Sequence, residues 1–272
     1  MSRAVQKEKN FPNGRDPITG IIRGAEPFEF GQGKSAVLFL HGWTSTPREL
    51  RFLAEKCAAA GFYCRGILLK GHGTKLEDLS PTRYQDYYEQ SETHLFELSQ
   101  KYSQVFICGL SMGGLLALDL AAQHPKQISG LVLLAPFLKP WGKTFGFPNS
   151  FLIGRVPLFG NISKNIGGPI KDPTTAPDHI AYHAMPAHTM VSIIRAGRRV
   201  THTLPQIKCP TLILHDKSDT TSDYTGSISL MNHLGTGDKT LLTYVRSNHI
   251  LTLDFDREQV ETQSLEWLLK HI

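Results

Sequence analysis

Residues 104–120 read QVFICGLSMGGLLALDL, and one hydroxyl, that of Ser111, sits where an apolar run meets a helix-like apolar pattern. A serine acts as a nucleophile when its oxygen is exposed, a base takes its proton, and donors await the developing oxyanion. A tight strand-to-helix turn supplies the exposure, and it leaves no room for side chains two positions to either side. Gly109 and Gly113 meet that demand and give G-L-S-M-G. The helix start behind the turn would aim the Met112 N–H at the reacting carbonyl oxygen. An inert serine in a close-packed glycine turn is the competing explanation, and the strand–helix context weighs against it.

The base must come from elsewhere in the chain. After a nucleophile on such a turn, an acid and then a histidine follow in chain order, and of 12 histidines only His249 and His271 come late enough. His249 lies in RSNHILTLD, directly after a strand pattern, whereas His271 is the penultimate residue at the end of a terminal helix. The acid is expected within HDKSDTTSD, residues 215–223. Asp216 sits close to the strand end and Asp223 suits the cap of the following helix. Asp219 lies mid-loop, placed to receive an imidazole N–H and fix its tautomer, and is the favoured acid. The second oxyanion donor is expected in HGWTSTP as the Trp43 backbone N–H, with the indole facing the substrate. His41 ends a buried strand and reads as structural, while His72 in KGHGT is expected near the pocket rim.

These groups need a scaffold. Short apolar runs alternate with helical patterns, the signature of a parallel sheet with crossover helices. Strands are expected at 36–40, 63–68, 105–108, 131–134, 211–214 and 240–245. Helices are expected from Thr46, Pro47 and Glu49 to Ala60, from Pro81 to Tyr102, after Ser111 to His124, over 187–204 and over 223–234. A last helix is capped by Asp256, with Gln259 three residues on. Residues 1–136 and 206–272 form the expected α/β core, and 137–205 an inserted cap, since so long an interruption with its own apolar content suits a lid.

The 272-residue chain is 40% hydrophobic, enough for one large core. Its start has no apolar stretch fit for a signal peptide and no run of 18 apolar residues occurs; with four cysteines lacking CxxC spacing, a reducing cytoplasm is the expected setting. The net charge of +5 is local: residues 137–205 hold eight Lys or Arg against two Asp, a surplus of six. That distribution, with aromatics among Gly and Pro instead of on a strand platform, argues against nucleic acid as a partner. The same segment, FLKPWGKTFGFPNSFLIGRVPLF, carries Phe137 and Trp141, expected to wall an acyl pocket, while Lys139, Lys143 and Arg155 would bring its mouth toward an anionic lipid surface. A cap packing its own small core is the alternative use of these rings. No HExxH or Cys/His ligand pattern implies a metal.

Taken together, AVLFLHG, HGWTSTP, LKGHGT, GLSMGG and SNHILTLD resemble the bacterial carboxylesterases and monoacylglycerol lipases of the α/β-hydrolase fold, from about Pro27 to the C-terminus. The resemblance implies a mostly parallel sheet with helices on both faces and a small cap over an acyl pocket. It implies a cofactor-free serine hydrolase for short- to medium-chain acyl esters or monoacylglycerols. It carries the nucleophile onto Ser111, the acid onto Asp219, the base onto His249 and the oxyanion donors onto Trp43 and Met112. Two departures stand out. Trp43 occupies a position where these relatives often have Phe, and TTSD follows Asp219 in place of the usual apolar residue and Pro. The same triad also serves thioesterases, acyltransferases and C–C hydrolases, and a ligand sensor with vestigial machinery is a further alternative.

Overall fold

The computed structural model describes residues 14–138, 160–163 and 169–272. A seven-stranded sheet forms its centre, in spatial order β1-β3-β2-β4-β5-β8-β9. The strands are β1 (Phe28–Phe30), β2 (Ser35–Leu40), β3 (Tyr63–Ile67), β4 (Gln104–Leu110), β5 (Gly130–Leu134), β8 (Thr211–Asp216) and β9 (Lys239–Tyr244). All neighbours run parallel except β1, which pairs antiparallel with β3. Between β5 and β8 a small antiparallel pair forms from β6 (Asn161–Ser163) and β7 (Ala184–Pro186). Helices α1 (Arg48–Ala59), α2 (Leu76–Leu79), α3 (Tyr84–Ser99), α4 (Met112–Gln123), α5 (Ala187–Thr203), α6 (Tyr224–His233) and α7 (Arg257–Lys270) complete the fold.

The central strands are apolar on both faces because both faces are covered. Leu38, Leu40, Ile107 and Leu133 point into one cluster with α3, α4 and α5, while Val37, Phe39, Phe106 and Val132 join the other with α1 and α7. Helix α4 lies deepest, with every residue from Met112 to Ala122 buried. Strand β1 escapes the period-2 pattern through its brevity. Its Phe28 stands opposite Gly66 and covers the space where a side chain would be, since a Cβ there would approach the Phe28 ring to 2.3 Å.

Three local expectations are corrected. The helix expected over 81–102 is shorter, α3 over Tyr84–Ser99, and a separate short helix, α2, precedes it across a turn through Pro81. Thr46 does not cap α1: its hydroxyl has no hydrogen-bond partner among the described residues, and Glu49 turns back to the Gly42 N–H instead of closing a capping box. Asp256 does precede α7, but its carboxylate accepts the Ser247 hydroxyl at 2.7 Å and no helix N–H. In both helices a tertiary donor won the carboxylate over the local N–H.

Helix α5 is fixed to the core. The Arg199 guanidinium forks onto Asp119 of α4 at 3.0 and 2.6 Å, and the Tyr84 hydroxyl donates to the same carboxylate at 3.0 Å. Asp119 is fully buried, so this bidentate pair resists solvent screening better than a surface pair. The Tyr182 hydroxyl accepts the Thr74 N–H at 2.9 Å and donates to Gly71 O at 3.0 Å, tying the segment before β7 to the KGHGT loop. Among the described residues no helix is long and apolar enough to cross a membrane.

Candidate active site

Ser111 leaves the end of β4 with φ 55° and ψ −114°, a left-handed conformation costly for a residue bearing a Cβ. The turn is held from both sides: its N–H donates to Leu134 O at 2.9 Å, and its carbonyl accepts the Phe137 N–H at 3.0 Å. A Cβ on Gly109 would come within 2.3 Å of Gly113 O, and one on Gly113 within 1.9 Å of Leu40 O. The glycines are therefore required by backbone packing and not by turn preference alone. Gly113→Ala is expected to destabilise the fold by about 1–3 kcal/mol through overpacking, read as a lower urea midpoint. An unchanged midpoint would mean that β2 and α4 can part without cost.

Among the described residues two other non-glycine residues share the positive-φ region, Thr44 at 70° and Ala135 at 42°. Together with Ser111 they sit just past the C-terminal ends of β2, β4 and β5, the edge where ligands bind in sheets of this kind. Neither the Trp43 nor the Met112 N–H takes part in a hydrogen bond among the described residues. Met112 is buried and opens α4, so its N–H carries the positive end of the helix dipole.

Around Trp43 the chain is braced by groups that the sequence alone did not expose. The buried Glu49 carboxylate accepts the Gly42 N–H, one peptide ahead of Trp43. Burial alone would raise that carboxyl, but the imidazoles of His179, 3.7 Å from Oε2, and of His41 hold it below the ordinary range. His41 accepts the Leu69 N–H at 3.1 Å through Nε2, and burial pushes its imidazole down toward the neutral form. His72 accepts the Thr44 N–H at 3.0 Å through Nε2. His41 is structural, as its position after a buried strand suggested, and His72 is a fully buried brace with its ring edge-on to His41 at 4.9 Å.

The acid loop separates its three carboxylates by task. Asp216, the last residue of β8, accepts the Ser218 N–H at 2.7 Å and the Ser247 N–H at 2.9 Å, which draws the β8 and β9 loops together. Asp223 caps α6 by accepting the Thr225 N–H at 2.9 Å. Asp219 alone meets an imidazole, with its Oδ2 2.7 Å from His249 Nδ1 and 3.0 Å from His215 Nε2. Its Oδ1 accepts the Thr221 and Ser222 N–H groups at 2.7 and 3.0 Å. Burial would raise this carboxyl, but the charge of His249 and the hydrogen bonds from both imidazoles hold it well below the usual carboxylate range.

His249 sits in a loop pinned on each side. The Asn248 N–H donates to Asp254 Oδ2 at 2.8 Å, and the Ile250 N–H reaches Pro169 O at 3.1 Å. Asp254 also accepts the Lys171 and Asp172 N–H groups at 2.9 and 3.0 Å. His271 lies apart, against Trp267 and Asp238. Ser111 and His249 share no hydrogen bond among the described residues; contacts of this type commonly tighten only with substrate present. Phe137 is buried next to the Ser111 turn, while Trp141, Lys139, Lys143 and Arg155 lie outside the described residues.

A mostly parallel sheet of this order, a strained serine at the β4–α4 turn and a buried Asp–His pair define an enzyme of the α/β-hydrolase fold, in the class of serine hydrolases that act on ester bonds. Residues 31–256 match the family model Hydrolase_4, described as serine aminopeptidase, S33, and the chain belongs to that family. It is 32% identical over 251 residues to a thermostable monoacylglycerol lipase of Bacillus sp. (strain H-257), covering 92% of this chain and 97% of that one. To a carboxylesterase of Bacillus subtilis (strain 168) it is 27% identical, over 90% and 96% of the two chains. A solved structure from work on LipS and LipT, two metagenome-derived lipolytic enzymes, superposes with a TM-score of 0.83 at 29% identity, covering 92% of this chain and all of that one. The monoacylglycerol lipase of Paleococcus ferrophilus shares the fold, with a TM-score of 0.78 at 22% identity over 90% of this chain and 98% of that one.

Proposed function

We propose that this enzyme hydrolyses short- to medium-chain carboxylic esters, monoacylglycerols among them, with Ser111 as nucleophile, His249 as base and Asp219 as the acid that orients it. The observation that carries this reading is the 2.7 Å contact of Asp219 Oδ2 with His249 Nδ1, together with a serine held at φ 55°. Ionised Asp219 can only accept, so His249 Nδ1 keeps its proton and Nε2 is left basic. Ser111 Oγ then attacks the acyl carbon as its proton passes to Nε2. The oxyanion is held by the Trp43 and Met112 N–H groups, each worth about 10² to 10³ in rate. Collapse returns the electron pair to the carbonyl and expels the alcohol, which takes the proton from Nε2. Water repeats the sequence on the acyl-enzyme, releasing the carboxylic acid and regenerating Ser111. The long relatives named for monoacylglycerol lipase and carboxylesterase support the choice of substrate.

Residues 137–205 would form the cap over the acyl pocket, with Phe137 and Trp141 in its wall. The anchoring of α5 by Arg199, Asp119 and Tyr84 supports a cap with a fixed hinge side. Labelling by a fluorophosphonate, abolished in Ser111→Ala, tests the nucleophile. A panel of p-nitrophenyl esters, monoacylglycerols, acyl-CoAs and an aminoacyl p-nitroanilide then tests the bond. Fastest turnover of the anilide or the thioester would overturn the ester assignment. The basic surplus of the cap supports contact with an anionic lipid surface. Co-sedimentation with acidic but not with neutral vesicles is expected, and equal, negligible binding to both would remove that contact.

A further inference from the structure

Asp219 serves two imidazoles, and only one belongs to the proposed triad. His215, four residues earlier at the end of β8, is completely buried, with Nε2 3.0 Å from Asp219 Oδ2 and Nδ1 2.7 Å from the Ser227 hydroxyl on α6. An ionised carboxylate has about four acceptor sites and no proton to give. Here those sites are taken by His249, His215 and the Thr221 and Ser222 N–H groups. The His215 Nε2 must therefore be a donor. In a neutral ring this leaves Nδ1 as acceptor, so the buried Ser227 hydroxyl has to point its hydrogen at it. The chain Ser227–His215–Asp219–His249 thus has one self-consistent direction of hydrogen bonding. The other charged or titratable neighbours are committed elsewhere: Asp216 to Ser218 and Ser247, and Tyr224, its ring edge-on to His215 at 5.5 Å, through its hydroxyl to Thr243 at 2.8 Å.

We propose that His215 is a positioning residue of the hydrolytic site, holding the Asp219 carboxylate at the angle from which it fixes the tautomer and orientation of His249. The inference rests on the assignment of Asp219 and His249 above. It goes beyond that assignment by extending the catalytic relay to a second histidine and to Ser227. His215 touches no reacting atom, so its effect falls on kcat and not on substrate binding. Without it, Oδ2 keeps only the His249 donor, and nothing but that bond and the two loop amides on Oδ1 restrains rotation of the carboxylate about its Cβ–Cγ bond.

The test compares His215→Leu, which fills the site without a donor, with His215→Gln, whose amide can donate to Asp219 and accept from Ser227. Each is measured for kcat and KM on p-nitrophenyl butyrate, and for the downfield proton resonance of the His249 Nδ1–H. His215→Leu is expected to lower kcat about tenfold or more, in the range seen for outer-shell partners of site residues, with KM within twofold and the resonance shifted or lost. His215→Gln is expected to recover most of the rate and the resonance. Ser227→Ala covers the case in which His215→Leu fails to fold: it removes the hydroxyl that holds the far side of the His215 ring at Nδ1 and is expected to cut kcat several-fold. A folded His215→Leu or Ser227→Ala with wild-type kcat and an unmoved resonance would overturn the proposal. Wild-type protein that neither turns over the ester nor reacts with fluorophosphonate would instead overturn the triad on which it rests.

Discussion

Ser111→Ala is expected to lower kcat for a carboxylic ester by about 10⁶-fold, the scale on which a comparable nucleophile falls when removed. The variant should retain its fold, because the substitution deletes only the Oγ. The Cβ, the φ of 55° and the flanking bonds to Leu134 O and from the Phe137 N–H all remain. Unfolding midpoints of wild type and variant should therefore agree, and the comparison separates lost chemistry from lost structure. Residual turnover within a hundredfold of wild type would show that another group delivers the acyl transfer.

Asp219→Asn is the second large effect, with kcat expected to fall about 10⁴-fold, as when an amide forces the wrong tautomer on a catalytic histidine. Asp216→Asn and Asp223→Asn serve as internal comparisons. The first would loosen the contact between Ser247 and the β8 loop and the second would weaken the start of α6. Both are expected to lower stability more than they lower the intrinsic rate. A near-normal rate in Asp219→Asn, with a collapse in Asp216→Asn, would move the acid to the strand end. The charge also leaves a trace in stability. Asp219 is held below the ordinary carboxylate range in the folded protein. Its contribution is therefore full above about pH 4, where the unfolded carboxyl ionises, and is lost as pH falls toward the folded value. The urea-midpoint gap between wild type and Asp219→Asn should narrow on acidification below that point.

Much of this arrangement was legible in the chain because it follows from short-range rules. Glycines two residues either side of Ser111 mark a turn with no space, and Leu40 O, standing where a Cβ on Gly113 would go, gives the reason. Asp223 announced itself as a helix cap, and Asp219 by being mid-loop. What escaped were contacts made across the fold. Glu49 looked like the partner of Thr46 in a capping box, yet its carboxylate is swallowed by the core and holds Gly42. His215 was visible only as the residue that follows the apolar strand pattern at 211–214. Its spacing of four from Asp219 was the available signal, but the strand-to-loop geometry that makes the spacing matter is tertiary. Strand β1 was missed because three residues carry no period, and its place depends on a glycine in a different strand.

Asp254 binds together amides that are far apart in the chain: Lys171 and Asp172 from the insertion, Asn248 beside the proposed base, and Phe255 next door. One buried anion thus serves as the common fastening for the stretch arriving from the cap and for the loop that presents His249. Neither stretch can peel off without stranding a charge that the other still surrounds. The two should consequently loosen as one cooperative unit, so that thermal inactivation and the first opening of the 169–172 segment are the same event.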